Sequence, residues 1–245
     1  MENNAPYILD ETADFAVVFK PPGMHSAPLQ QKEGGSLLEW YKMERSPCGG
    51  EPYDLMHRLD FETQGLVLIA KNLKSYDFLK SLQDNGEFVK EYSALCVNSG
   101  NCLPAGFPPP PALTFSEPSP EKPLIIMSYF RPYGPGRKQV RPVTDEKKYR
   151  ELAKDKGGFY RTEITGINGN IFTARIKRGF RHQIRCHLCW IGKPILNDPL
   201  YPPVSEAAVL HANNHEANLL ALRAHALFFT DPSTGKKREY RIENF

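Results

Sequence analysis

Two β-rich runs, 159–167 and 171–177, meet at Asn168-Gly169, and that junction restricts the fold more than any other stretch of the chain. Asn-Gly reaches the left-handed backbone conformation that a tight hairpin turn needs, so the two runs are expected to pair antiparallel. The same pattern recurs along the sequence. Residues 15–20 are an apolar run closed by Pro21-Pro22-Gly23, residues 65–70 have the character of a buried central strand, and residues 88–97 alternate with a period of two, which places Tyr92 mid-strand. Near the end, apolar residues 219–229 lead to a turn at 232–235 and a last strand ending near Ile242. Helical periodicity is confined to short pieces. Ser36-Leu37-Leu38-Glu39 has capping-box spacing for a helix reaching about Arg45. Asn72 can cap a helix carrying Leu73, Tyr76, Leu79 and Leu82, which Asn85-Gly86 ends. Residues 182–191 read as a helix with Ile184, Leu188 and Ile191 as its apolar stripe and Arg185 at the edge. Many strands, few helices and hairpins in place of regular βαβ alternation give the α+β class, a mixed, mainly antiparallel sheet with flanking helices.

Residues 104–123 hold eight prolines in twenty positions, which excludes regular helix or inner strand and reads as an extended surface excursion, about 99–123, from a single domain spanning 1–245. A basic turn, Gly134-Pro135-Gly136-Arg137-Lys138, follows it. No stretch approaches the roughly 18 apolar residues of a membrane helix. The first residues lack the basic and apolar regions of an export signal, so a cytoplasmic location is expected, with the five cysteines as thiols. The net charge of +3 says little, but its distribution says more. Between Ile164 and Asn197 there is no acidic residue, while Arg175, Lys177, Arg178, Arg181, Arg185 and Lys193 all fall there. Such a block suits a polyphosphate partner or a solvated basic face.

Nucleotide-cofactor signatures are missing: no Gly-x-Gly-x-x-Gly opens a helix and no Gly-Lys-Ser/Thr phosphate loop occurs. Cys186-His187-Leu188-Cys189 lacks a second pair at ligand spacing, so no metal and no cofactor is expected. What remains is His57-Arg58-Leu59-Asp60-Phe61-Glu62-Thr63-Gln64-Gly65-Leu66, a charged loop running straight into an apolar strand. A carboxylate there can be a nucleophile, or Asp60 and Arg58 can form an ion pair that ties the loop down. Asp60 with Glu62 as the acid and nucleophile of a glycosidase is another reading, as is a noncatalytic RNA-binding protein.

His57-Arg58-Leu59-Asp60 with Thr63 and Gly65-Leu66 resembles the signature of the RluA-type pseudouridine synthases, His-Arg-Leu-Asp-x-x-Thr-Ser-Gly-Leu. Three further motifs resemble that family in order: Lys20-Pro21-Pro22-Gly23, Lys90-Glu91-Tyr92-Ser93-Ala94, and His182-Gln183-Ile184-Arg185 with Gly192-Lys193-Pro194-Ile195. The resemblance implies the pseudouridine synthase fold with a central catalytic cleft, and isomerisation of a specific uridine in ribosomal or transfer RNA. It implies Asp60 as the catalytic aspartate, Tyr92 against the target base, Arg185 paired with Asp60, and Arg58 entering the base stack when the uridine leaves it. Binding then falls to the acid-free block, with Arg175, Lys177, Arg178 and Arg181 as phosphate contacts, no membrane and a monomeric protein. Gln64 in place of Ser, Phe180-Arg181 before His182 and Asn197 in place of Gly depart from the family pattern, as does the proline-rich excursion.

Overall fold

The computed structural model describes residues 5–29, 35–45, 54–100, 102–113, 117–152, 158–202 and 219–244; Cys48 and Gly34 lie outside them. In chain order the elements are β1 (Tyr7–Glu11), β2 (Phe15–Lys20), α1 (Leu37–Arg45), β3 (Asp54–Leu55), β4 (Gln64–Ala70), α2 (Leu73–Asp84), β5 (Val89–Leu95), β6 (Leu124–Tyr133), β7 (Gln139–Val143), α3 (Glu146–Leu152), β8 (Tyr160–Asn168), β9 (Ile171–Ile176), α4 (Gln183–Trp190), β10 (Leu222–Thr230) and β11 (Lys237–Arg241). The fold is the expected α+β type, with mostly antiparallel strand pairs and helices beside them. It divides into two compact units, Met1–Glu91 with Arg223–Asn244, and Tyr92–Leu222. No described helix is long and apolar enough to cross a membrane.

In the first unit the strand order is β1-β2-β4-β10, with β3 also on β4 and β11 on β10. Every residue of β2 and β4 is buried, and the two pair from Phe15 opposite Ala70 to Lys20 opposite Gly65. Phe15, Val17, Leu66 and Leu68 meet Leu79, Leu82, Phe88 and Phe229 in one core. Both sequence-assigned caps form. Glu39 accepts from the Ser36 backbone N–H at 3.0 Å while Ser36 Oγ accepts from Glu39 N–H, and Asn72 accepts from Ser75 N–H at 2.9 Å. Gly65 has no substitute at the head of β4. Its φ is +128°, and a Cβ there would lie 2.3 Å from the Ala224 carbonyl oxygen of the parallel neighbour β10.

In the second unit the order is β5-β9-β8-β6-β7. The β8–β9 hairpin forms, but Asn168 pairs with Ile171, so the two-residue turn is Gly169-Asn170, one position later than expected. Gly169 takes the left-handed conformation, φ +58°, at the first turn position, a demand glycine meets more cheaply than asparagine. The long β6–β7 hairpin and α3 were not foreseen, because Pro132, Pro135 and Pro142 disguise the hairpin in the sequence. The basic turn at its tip is exposed as expected. The excursion runs along the surface, none of its residues from 102 to 113 being buried, and is tied down where the Trp190 indole N–H on α4 donates to the carbonyls of Pro108 and Pro109, at 3.0 and 3.2 Å.

Candidate active site

In the first unit Asp60 sits half-buried on the loop entering β4, with Arg58 exposed two residues earlier. A turn closes behind it, Thr63 N–H donating to the Asp60 carbonyl at 3.1 Å. The loop is pinned on both sides of the carboxylate. On one side Ser26 Oγ donates to the Leu59 carbonyl at 2.9 Å and accepts from Leu59 N–H at 3.0 Å. On the other, the Phe61 carbonyl accepts from Gly23 N–H at 2.9 Å and from the Lys20 ammonium at 3.3 Å. That ammonium, fully buried, also donates at 2.8 Å to the carbonyls of Pro21 and Met24. Burial drives the Lys20 pKa down to about 7, opposed by the negative charges of Asp60 and Glu62. Burial and the Lys90 charge hold His57 well below the ordinary histidine range, and its Nε2 accepts from Leu68 N–H at 3.3 Å. Phe61, 44% exposed, stands next to Asp60 with its ring 4.6 Å from that of His25, an aromatic surface the sequence did not single out.

The second unit holds Tyr92 and Arg185. Tyr92 lies on β5 and is buried, mid-strand as expected. Arg185 departs from its expected place at the edge of an amphipathic helix. Every residue of α4 is buried, so the helix has no solvent face. Its polar side chains are matched individually inside the core. Arg185 Nε and Nη2 donate to the two carboxylate oxygens of Asp198, each at 2.8 Å, with both side chains fully buried. Asp198 in turn accepts from Leu200 and Tyr201 N–H, at 2.9 and 3.1 Å. Gln183 donates to the Arg161 carbonyl and Thr162 Oγ1, while His187 bonds Thr162 Oγ1 at 2.8 Å and Ser128 Oγ at 3.0 Å. Burial lowers the His187 pKa to about 3, so the ring is neutral. Asp198 was not among the site residues expected from the sequence, where it stands thirteen positions from Arg185 with no periodicity to link them. Burial pushes the Cys189 thiol up to about 12 and holds Cys186 well above the ordinary thiol range, and both pack with Phe130, Val140 and Tyr201.

The four residues of the acid-free block expected to contact phosphates also lie in this unit, in unequal settings. Lys177 and Arg178 are exposed, the Arg178 guanidinium 4.9 Å from the Tyr160 ring centre, and Arg175 lies opposite Glu163 across the β8–β9 pair. Arg181 is exposed but engaged: its Nη2 donates to the Arg137 carbonyl at 2.5 Å.

Against known proteins, the profile described as RNA pseudouridylate synthase matches residues 14–190, which contain the Asp60 loop, Tyr92 and Arg185. The chain belongs to that family of isomerases, in its RluA-type branch. Among relatives, ribosomal large subunit pseudouridine synthase D of Buchnera aphidicola subsp. Schizaphis graminum is 26% identical over 242 residues, 96% of this chain and 68% of the relative. An uncharacterized RNA pseudouridine synthase of Mycoplasma pneumoniae is 30% identical over 245 residues, 96% of this chain and 66% of the relative. The chain thus spans about two thirds of the length of these two relatives, 68% and 66%. Two human structures share the fold: RNA Pseudouridylate Synthase Domain Containing 1, TM-score 0.65 at 17% identity over 100% of this chain and 86% of that one, and Domain Containing 4, TM-score 0.61 at 18% identity over 97% and 88%.

Proposed function

We propose that the chain converts a specific uridine of a structured RNA, ribosomal or transfer, to pseudouridine, with Asp60 as nucleophile on a flipped-out base. The observation that carries this reading is the setting of Asp60. Asp60 is half-buried on a turn whose backbone Ser26 and Lys20 hold on either side, so the group can be aimed at a bound nucleotide. The N1–C1′ bond breaks, the base turns while bound, and C5–C1′ forms; the proton lost from C5 is balanced by one gained at N1, so the mass does not change. No cofactor is required. The two units act as one catalytic domain in this reading, in a cytoplasmic, monomeric protein.

Tyr92 is assigned to the target base, where it takes part in removing the C5 proton. Arg185 is assigned as counter-charge to Asp60. Because Asp198 grips its Nε edge, the guanidinium keeps one orientation and favours a charged, oriented nucleophile. Arg58, exposed beside Asp60, is assigned to the gap left by the flipped base, and Phe61 offers a stacking surface next to it. Arg175, Lys177, Arg178 and Arg181 are assigned to phosphates. Incubating the protein with ribosomal and transfer RNA and analysing the nucleosides tests the reading. Pseudouridine is expected with no release of uracil; free uracil would mean a hydrolase, and unaltered uridine in both RNA classes would refute the assignment.

A further inference from the structure

A second acid-free stretch runs from Lys122 to Thr144 and contains the whole β6–β7 hairpin, with Arg131, Arg137, Lys138 and Arg141. The fold joins it to the first basic block, because Arg181 Nη2 donates to the carbonyls of Arg137 and Gln139, at 2.5 and 3.4 Å. Arg137 and Lys138 are exposed at the tip.

The hairpin is also braced from its other side by the proline-rich excursion. Arg141 is 3% exposed, and each of its three nitrogens donates to a neutral oxygen: Nε to Ala105 O at 2.8 Å, Nη1 to Val140 O at 2.9 Å and Nη2 to Gln139 Oε1 at 2.7 Å. Its guanidinium lies 4.5 Å from the Phe107 ring centre and 4.1 Å from that of Tyr133. Arg131 covers the same Tyr133 ring at 5.2 Å and donates to the Gly106 carbonyl at 3.4 Å. Gly106 itself, φ +84°, lies so close that a Cβ there would be 2.5 Å from Tyr133 Cε2. Two positions of the excursion therefore hold one arginine by carbonyl and ring, and a third admits only glycine against the hairpin.

We infer that the β6–β7 hairpin is a phosphate-gripping RNA arm and that residues 104–107 are its brace. The charges at its tip continue those at 177–181, so a nucleic-acid backbone meets one basic track assembled from two sequence blocks. Exposed basic residues on a rigid support give up less conformational freedom on binding than the same residues on a loose loop. This also gives the proline-rich segment a task, since Pro108 and Pro109 tie it to Trp190 of α4 while Ala105 and Phe107 hold the hairpin.

The inference rests on RNA being the substrate, and its test separates the two. Affinity for a labelled RNA hairpin with uridines in its loop is measured across a potassium chloride titration. Arg137→Glu/Lys138→Glu is expected to weaken binding at least about tenfold at low salt and to reduce the magnitude of the log-affinity against log-salt slope by about 1–2, the loss of two phosphate contacts. Gly106→Val keeps every charge and is expected to weaken binding about three- to tenfold by loosening the brace. If Gly106→Val fails a thermal-melting check of folding, Tyr133→Leu carries the same test. Lys236→Glu, an exposed charge change in the first unit, is expected to leave affinity within twofold. Wild-type protein that does not bind RNA would sink the parent reading. Wild-type protein that binds, with the Arg137/Lys138 variant keeping the full slope, would overturn the arm, and full affinity in the brace variants would overturn the brace.

Discussion

The loop that carries Asp60 and the helix that carries Arg185 achieve rigidity by opposite means. Around Asp60 the restraints fall on backbone atoms: a serine hydroxyl and a buried ammonium hold carbonyls on either side, and the carboxylate itself stays half-exposed. Around Arg185 the restraint falls on the functional group itself, a bidentate carboxylate with no solvent exposure. If Asp60 is the reacting group, as proposed, its order comes in good part from the backbone on either side of it. Arg185, proposed as its counter-charge, is instead built into the core.

This contrast makes mutation behave differently in the two places. Asp198→Ala strips a buried guanidinium of its bidentate partner and is expected to cost about 3–5 kcal/mol in urea unfolding, whereas Asp198→Asn, which keeps one acceptor, costs less. Equal losses for the two variants would mean that packing, not charge pairing, holds the helix. Next in size is acid. His187 stays neutral in the fold down to about pH 3, while in the unfolded chain it titrates near about 6.5, so between those values the unfolded state binds a proton that the folded state refuses. Stability is therefore lost as pH falls through this window, by about 3 kcal/mol at pH 4, and His187→Gln should remove that portion of the slope. A slope unchanged in the variant would assign the acid sensitivity elsewhere. Smallest is Ser26→Ala, expected to cost about 1–2 kcal/mol because the buried Leu59 N–H loses its acceptor, together with a fall in turnover as the Asp60 loop loosens. Loss of stability with full turnover would show that the Ser26 clamp does not aim Asp60.

The sequence carried much of the first unit, because its signals are local: capping at Ser36 and Asn72, a continuous apolar β4 and the motifs at Lys20 and His57–Leu66, although the short edge strands β1 and β3 left no comparable signal. It carried the second unit less well. α4 was read as amphipathic because Gln183, Arg185 and His187 are polar, yet each finds a partner inside the protein. Those partners, Thr162, Ser128 and Asp198, are thirteen to fifty-nine residues distant, where no periodicity links them. Lys20 was legible as a motif residue but not as a buried ammonium, since lysine is ordinarily a surface residue. The β6–β7 hairpin escaped notice because two of its prolines lie within strands, where proline ordinarily argues against a strand.

The most direct test is Asp60→Asn, assayed for pseudouridine formation in the RNA that the wild type modifies, with urea unfolding measured alongside. The variant should lose more than about a thousandfold in turnover. Its stability should stay within about 1 kcal/mol of wild type, because the asparagine leaves the Ser26 and Lys20 contacts to the backbone in place. Turnover at the wild-type rate in a folded Asp60→Asn variant would contradict the assignment of Asp60 as the nucleophile.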